Sequence, residues 1–197
     1  MARTRDQQKF NQSREALLAV GQELFINNSF NSVGLNDILR TAGIPKGSFY
    51  HYFESKEDFA LQVVEHYAQQ NAAQLDELLA NAELTAYEKL KQFFSDSIRH
   101  YEEIDYCQGC LMANLSQELA DVNERLRCKM NELTQQMVDR IASCIEQTEE
   151  DELNTGELPA GEAAQLLMNS WQGAIMKMKL QKSQLPLDMF MKFFFSH

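Results

Sequence analysis

Leu35-Asn36-Asp37-Ile38-Leu39-Arg40-Thr41-Ala42-Gly43-Ile44-Pro45-Lys46-Gly47-Ser48-Phe49-Tyr50-His51-Tyr52-Phe53 is the stretch on which the fold of this chain turns. A short helix fits Leu35 to Ala42, with Leu35, Ile38, Leu39 and Ala42 on its inner side. Gly43 suits the left-handed conformation that follows a helix end. Pro45, whose missing N–H costs nothing at a helix start, opens a second helix through about Tyr52. Two short helices joined at Ala42-Gly43-Ile44 have the dimensions of a helix-turn-helix. In that motif the second helix enters the major groove of DNA by its N-terminal residues. Lys46 can reach guanine or phosphate there, and Gly47 lets the backbone approach closely. Ser48, Tyr50 and His51 offer hydrogen-bonding or stacking groups, while Phe49 and Phe53, four apart, face inward. A short aromatic core helix fits the same spacing, so the pattern alone leaves both readings open.

Outward from this stretch the chain reads as helical in both directions. Ser13 can cap a first helix whose Leu17, Leu18, Gly21, Leu24 and Phe25 form one apolar stripe, ended by Asn27-Asn28-Ser29. Ser55-Lys56-Glu57-Asp58 resembles a capping box and opens a long helix from about Lys56 to Asn81. Helices are expected at about 85–102, 110–120, 123–148, 160–182 and 186–195, with an acidic loop at 149–161. No run of alternating apolar residues argues for a strand. The expectation is an all-α chain: a three-helix helix-turn-helix head at residues 1–54 and a helical sensing and dimerising domain at 55–197.

The net charge of −11 disfavours nucleic acid only when averaged over the chain. Residues 1–60 hold seven Lys/Arg (Arg3, Arg5, Lys9, Arg14, Arg40, Lys46, Lys56) and seven Asp/Glu, so the acidity belongs entirely to the remainder. A neutral head with placed cations can approach phosphate while an acidic body cannot. No apolar run approaches the roughly 20 residues that span a bilayer, and the basic, polar N-terminus lacks an apolar signal region. A cytoplasmic protein without a membrane association is expected, with its four cysteines reduced. No Ser/His/Asp set, phosphate loop or metal-ligand spacing occurs, so no enzyme, cofactor or metal is expected.

The block from Ala16 to Phe59, above all GIPKGSFYHYFESKEDF, resembles the TetR family of bacterial regulators. Phe25, Phe30, Ile38, Ala42-Gly43, Lys46-Gly47, Tyr50, Phe53 and Lys56 carry the match. The resemblance implies a homodimer that binds a palindromic double-stranded operator and is released by an inducer. It assigns operator contacts to Lys46, Gly47, Ser48, Tyr50 and His51, and a phosphate to Lys56 beside a helix N-terminus. Arg3 and Arg5 are expected in a disordered arm that tightens on DNA. One departure is Gly34, where many relatives cap the second helix with Ser or Thr.

The body carries Cys107-Gln108-Gly109-Cys110, which by spacing fits half a zinc site, a redox pair or two incidental thiols. Cys128 and Cys144 are 16 apart and do not complete a zinc set. Gly109-Cys110-Leu111-Met112, Asn114-Leu115-Ser116-Gln117-Glu118, Trp171-Gln172-Gly173-Ala174 and Lys179 resemble one branch of the family, that of the N-ethylmaleimide reductase repressor. That branch senses electrophiles and oxidants, and its reactive cysteine and partner lysine correspond to Cys110 and Lys179. An ammonium near a thiol favours thiolate. Cys107 departs from the branch and can act as a second thiol. The alternative is a reversible apolar inducer in a pocket lined by Trp171, Phe93, Phe94, Tyr101 and Met137, with the cysteines inert. The last two long helices carry Leu166, Leu167, Met168, Trp171, Ile175, Met178, Leu187, Phe190, Met191 and Phe194. That apolar surface exceeds what one body needs, and the family resemblance pairs these helices with their two-fold mates.

Overall fold

The computed structural model describes residues 2–149 and 152–195, with the backbone alone for residues 2–6 and 46. Among the described residues all regular structure is helical. The order is α1 (Ala2–Asn27), α2 (Leu35–Thr41), a 3₁₀ recognition helix (Lys46–His51), α3 (Lys56–Leu79), α4 (Ala86–Glu103), α5 (Leu111–Leu119), α6 (Glu124–Ile145), α7 (Ala160–Gln181) and α8 (Leu185–Phe194). These pack as two compact units. One comprises Met1–Ala68 with Leu111–Met130, the other Gln69–Cys110 with Asn131–His197.

In the first unit, α1 begins at Ala2 rather than at a Ser13 cap, which also removes the disordered arm expected for Arg3 and Arg5. The residues ahead of Ser13 include Arg, Gln and Lys, all good helix formers, and no Gly or Pro. They lack an apolar stripe, so periodicity could not reveal them. Leu17, Phe25, Ile38, Phe49 and Phe59 are fully or almost fully buried and form the centre of this unit. Each such side chain contributes roughly 1.5–3 kcal/mol by leaving water. Gly21 is where α1 meets α3: a Cβ built there would lie 2.4 Å from Phe59 Cζ and 2.7 Å from Val63 Cγ2. Gly43 adopts φ +66° after α2, as its position required. Gly34 caps α2 without a side chain, and its N–H donates instead to Asp37 Oδ2 at 3.3 Å.

The recognition helix is a 3₁₀ helix, tighter than the α-helix expected. Ser48 N–H donates to the Pro45 carbonyl and Tyr52 N–H to that of Phe49, both at 2.9 Å. Gly47-Ser48 resists α-helix, while Phe49 and Phe53 are buried against Phe59 at ring separations of 5.6 and 4.7 Å.

In the second unit, Thr85 caps α4 reciprocally: its Oγ1 accepts from Glu88 N–H, and its own N–H donates to Glu88 Oε2. Leu90, Phe94, Ile141, Leu167, Met178 and Leu187 lie in this core. The Tyr87 hydroxyl donates to the Phe195 carbonyl at 3.0 Å, fastening the end of the chain to α4.

Candidate nucleic-acid interface and thiol site

The recognition helix divides its side chains sharply. Phe49 is 1% exposed and Phe53 is buried, whereas Tyr50 is 68% exposed and His51 also stands in solvent. Ser48 is half-buried, and Gly47 is exposed with nothing within 4 Å of where a Cβ would be. The side chains of Arg3, Arg5 and Lys46 lie outside the described residues. The Phe49 ring meets Tyr50 edge-on at 5.5 Å, so burial of the first supports the exposed second. Phe10 on α1 stacks on Tyr52 at 4.7 Å. That tie between the early part of α1 and the recognition helix was missed in the sequence, because residues before Ser13 showed no pattern.

Lys56 stands at the start of α3 as expected, but its ammonium is already engaged. Nζ donates to the Phe30 carbonyl at 2.5 Å and lies 4.1 Å from the centre of the Phe30 ring. Burial lowers its pKa, opposed by the charges of Glu57 and Glu118. The Phe30 N–H in turn donates to Glu118 Oε2 at 2.9 Å. The backbone of one residue, Phe30, is therefore clamped on both sides, its carbonyl by α3 and its N–H by α5. Asn114 Nδ2 adds a second link from α5, to the Ile26 carbonyl at 3.4 Å. The capping box is half formed: Ser55 Oγ accepts from Asp58 N–H, but Asp58 Oδ2 accepts from Glu54 N–H rather than from Ser55.

In the second unit, Cys110 is 6% exposed and Cys107 is exposed. Gln172 Nε2 on α7 donates to Cys110 Sγ at 3.5 Å. Burial, and then the charge of Cys110, push the pKa of Tyr101 on α4 well above the ordinary tyrosine value. Lys179 is half-buried on α7, seven residues after Gln172. That is two turns along the same face, about 10 Å further. Cys107 S–H donates to the Asp105 carbonyl at 3.3 Å, just after two non-glycine residues with positive φ, Asp105 at 52° and Tyr106 at 53°. Tyr106 is pinned to the corner between α7 and α8. Its hydroxyl donates to Gln184 Oε1 at 3.0 Å, and its carbonyl accepts from Lys182 Nζ at 3.4 Å. Cys128 is exposed, while Cys144 is buried and donates to the Ala86 carbonyl at 3.4 Å. Among the described residues no three His, Cys, Asp or Glu side chains gather as a metal site.

The rings expected to line a pocket pack on one another. Trp171 lies 5.0 Å from Phe94, 4.9 Å from Phe190 and 6.4 Å from Tyr101, and Phe93 lies 5.3 Å from Phe94. Met137 is half-buried on α6. Of the apolar residues expected to form an outer surface on α7 and α8, most are internal: Leu167, Met168, Trp171, Ile175, Met178, Leu187, Phe190 and Phe194 are buried. Leu166, Met176 and Leu180 are exposed on one face of α7, and Leu185, Met189 and Phe193 on one face of α8. Counting apolar residues without fixing the helical phase put the wrong members outside. Among the described residues no helix is long and apolar enough to cross a membrane.

Residues 17–63 match the family description "Bacterial regulatory proteins, tetR family". Residues 86–194 match "Tetracyclin repressor-like, C-terminal domain". The chain is 33% identical over 177 residues to the HTH-type transcriptional repressor NemR of Escherichia coli K12, covering 89% of this chain and 88% of that protein. The crystal structure of the regulatory protein TetR from Rhodobacter sphaeroides superposes with a TM-score of 0.84 at 28% identity, over 91% of this chain and 95% of that one. The crystal structure of E. coli NemR in its reduced form gives 0.79 at 29% identity, over 93% and 98%. These relatives are transcriptional regulators and not enzymes. A helix-turn-helix with outward-facing polar groups, a helical body and matches along nearly the whole length agree: the chain belongs to the TetR family of bacterial transcriptional regulators.

Proposed function

We propose that this regulator is a repressor that holds a palindromic operator as a dimer and leaves it when Cys110 is modified by an electrophile or oxidant. Regulators of this family bind operator DNA as dimers. DNA contact falls to residues 1–54, with Lys46, Gly47, Ser48, Tyr50 and His51 at the groove, Lys56 at phosphate and Arg3 and Arg5 on the first turns of α1. Lys56 keeps two N–H donors beyond the one given to Phe30, so the clamp leaves it able to meet a phosphate. Residues 55–197 carry sensing and dimerisation. The exposed stripes Leu166, Met176, Leu180 and Leu185, Met189, Phe193 supply the apolar surface for a bundle with the partner copy.

The observation that carries the reading is a buried cysteine, hydrogen-bonded by Gln172, at the residue immediately before α5. Modifying it adds volume where the thiol is packed, and displacement of α5 acts on the clamp of Glu118, Phe30 and Lys56 at the head. Successive major-groove faces lie about 34 Å apart, so a small pivot loses simultaneous contact by both heads. Lys179 supplies positive charge on the same face of α7, and Cys107 supplies a second thiol for an oxidised Cys110. The similar E. coli protein is named a repressor and has a structure described as its reduced form, which supports the same reading.

The test is an anisotropy titration of operator DNA before and after N-ethylmaleimide or hypochlorite, with wild type and Cys110→Ser. Wild type is expected to lose affinity by about a hundredfold, within the usual range of coupling between two sites. Cys110→Ser is expected to stay bound. Full release of Cys110→Ser by the same reagents would discard the thiol mechanism. It would favour instead a reversible apolar inducer among Trp171, Phe93, Phe94, Tyr101 and Met137.

A further inference from the structure

Cys110 sits among groups that cannot all be explained as packing. It is buried, so ionising its thiol in place means finding donors inside the protein rather than in water. The structure supplies one directly, the Gln172 amide at 3.5 Å from sulfur. The phenol of Tyr101 on α4 is held protonated by burial and then by the charge of Cys110. Gln172 follows Trp171, whose ring is locked between Phe94 and Phe190, so the turn of α7 that carries the amide has little freedom. The amide oxygen of Gln172 is buried and accepts no hydrogen bond among the described residues. Its N–H thus faces sulfur while its own acceptor goes unmet, which is the orientation that fits a sulfur anion. A half-turn of the same amide would offer oxygen to an S–H. One neutral side chain therefore serves both protonation states, whereas a carboxylate serves only the S–H and an alkyl chain serves neither.

We infer that Gln172 is the positioning residue for the Cys110 nucleophile, donating its amide N–H to the sulfur as the thiol attacks a conjugated electrophile such as an α,β-unsaturated carbonyl. In that step the thiol proton leaves to solvent and a sulfur electron pair forms the S–C bond at the β-carbon. The C=C π pair shifts to join the α-carbon to the carbonyl carbon while the carbonyl π pair goes to oxygen, giving an enolate that takes a proton from solvent at the α-carbon. The sum is addition of S–H across the double bond, with no oxidant required. This rests on Cys110 being the reactive thiol; Lys179, two turns away, then adjusts the field while Gln172 makes the contact.

The experiment uses full-length reduced protein and N-ethylmaleimide, and follows the Cys110 adduct by quenched mass spectrometry. Wild type, Gln172→Leu and Gln172→Glu are compared across neutral to mildly acidic pH, with thermal melts to establish folding. Gln172→Leu is expected to react about tenfold more slowly, the loss of one hydrogen bond to a charged acceptor. Gln172→Glu is expected to be slower still at neutral pH, and to recover relative to wild type as pH falls and the new carboxyl becomes a donor. Tyr101 on α4, whose phenol burial holds protonated, keeps its state over that range and cancels in the ratio, and Lys179, two turns along α7, is common to all three proteins. A purely structural role would leave the ratio independent of pH. Equal rates for all three proteins, or a flat ratio, overturn the inference while leaving Cys110 as the trigger. A wild-type Cys110 that takes up no maleimide while the protein leaves DNA overturns the reading beneath it.

Discussion

At the recognition helix Phe49 is packed away while the next residue, Tyr50, is 68% exposed. At the thiol site the order is reversed: Cys107 stands in solvent, and Cys110, the residue matched to the reactive thiol, is buried. On the proposed function, the contrast follows from what each region must meet. DNA is large and stiff, so groups that read it have to stand outside a frame that does not yield. A small electrophile would be selected by what surrounds the sulfur, which an enclosed thiol with the Gln172 amide turned toward it would suit. Substitutions should therefore separate the two regions by whether stability, operator affinity or thiol chemistry changes.

The largest effect is expected in the second unit. Phe94→Ala removes a fully buried ring in contact with Trp171 and Phe190, and should cost about 3–5 kcal/mol in urea unfolding. A loss below 1 kcal/mol would mean that this cluster is a loosely filled pocket and not a core. Next comes Gly21→Ala in the first unit, where the added Cβ meets the Phe59 ring. Overpacking of this kind costs about 1–3 kcal/mol, and operator affinity should follow stability because the frame itself moves. Lys46→Ala sharpens the contrast by acting oppositely: affinity should fall by roughly 1–3 kcal/mol if it reads a base, with the urea midpoint unchanged. Unchanged anisotropy titrations would remove Lys46 from the interface. The smallest effect is expected for Glu118→Ala, about 1 kcal/mol from the lost acceptor of the Phe30 N–H. Its informative readout is the response to N-ethylmaleimide. If the clamp transmits, adduct formation at Cys110 proceeds at the wild-type rate while the accompanying loss of operator affinity shrinks; an undiminished loss would exclude that path.

The head was legible because its signals are local. Gly43 needs a positive φ, Pro45 starts a helix, and Phe49 and Phe53 are spaced to bury together; each operates within a few residues. The Lys56 contact was not legible, since its carbonyl partner lies 26 residues back and the Glu118 that completes the clamp is 88 residues from Phe30. Periodicity also could not assign Leu111–Met130 to the unit that contains the recognition helix. At the thiol, family likeness pointed to Cys110 and Lys179, but Gln172 appeared only as one letter of a motif. A 3.5 Å contact across 62 residues depends on how α7 packs, which composition and spacing do not encode. The early turns of α1 show the converse limit: a polar helix without a stripe folds perfectly well and leaves no periodic trace.

The turn at Asp105-Tyr106 bears on how the segment before Cys110 is held. Two adjacent non-glycine residues in the left-handed region hold roughly 1–3 kcal/mol each of backbone strain, and the tethers that retain it run from Tyr106 to Gln184 and Lys182. Those tethers end at the corner of α7 and α8, beside the apolar stripes assigned to the partner copy. On that assignment, pairing of two chains steadies the corner and resists uncoiling of the segment that leads to Cys110, while dilution relaxes both together. On the proposed function, assembly and the holding of the segment before Cys110 are then one linked equilibrium.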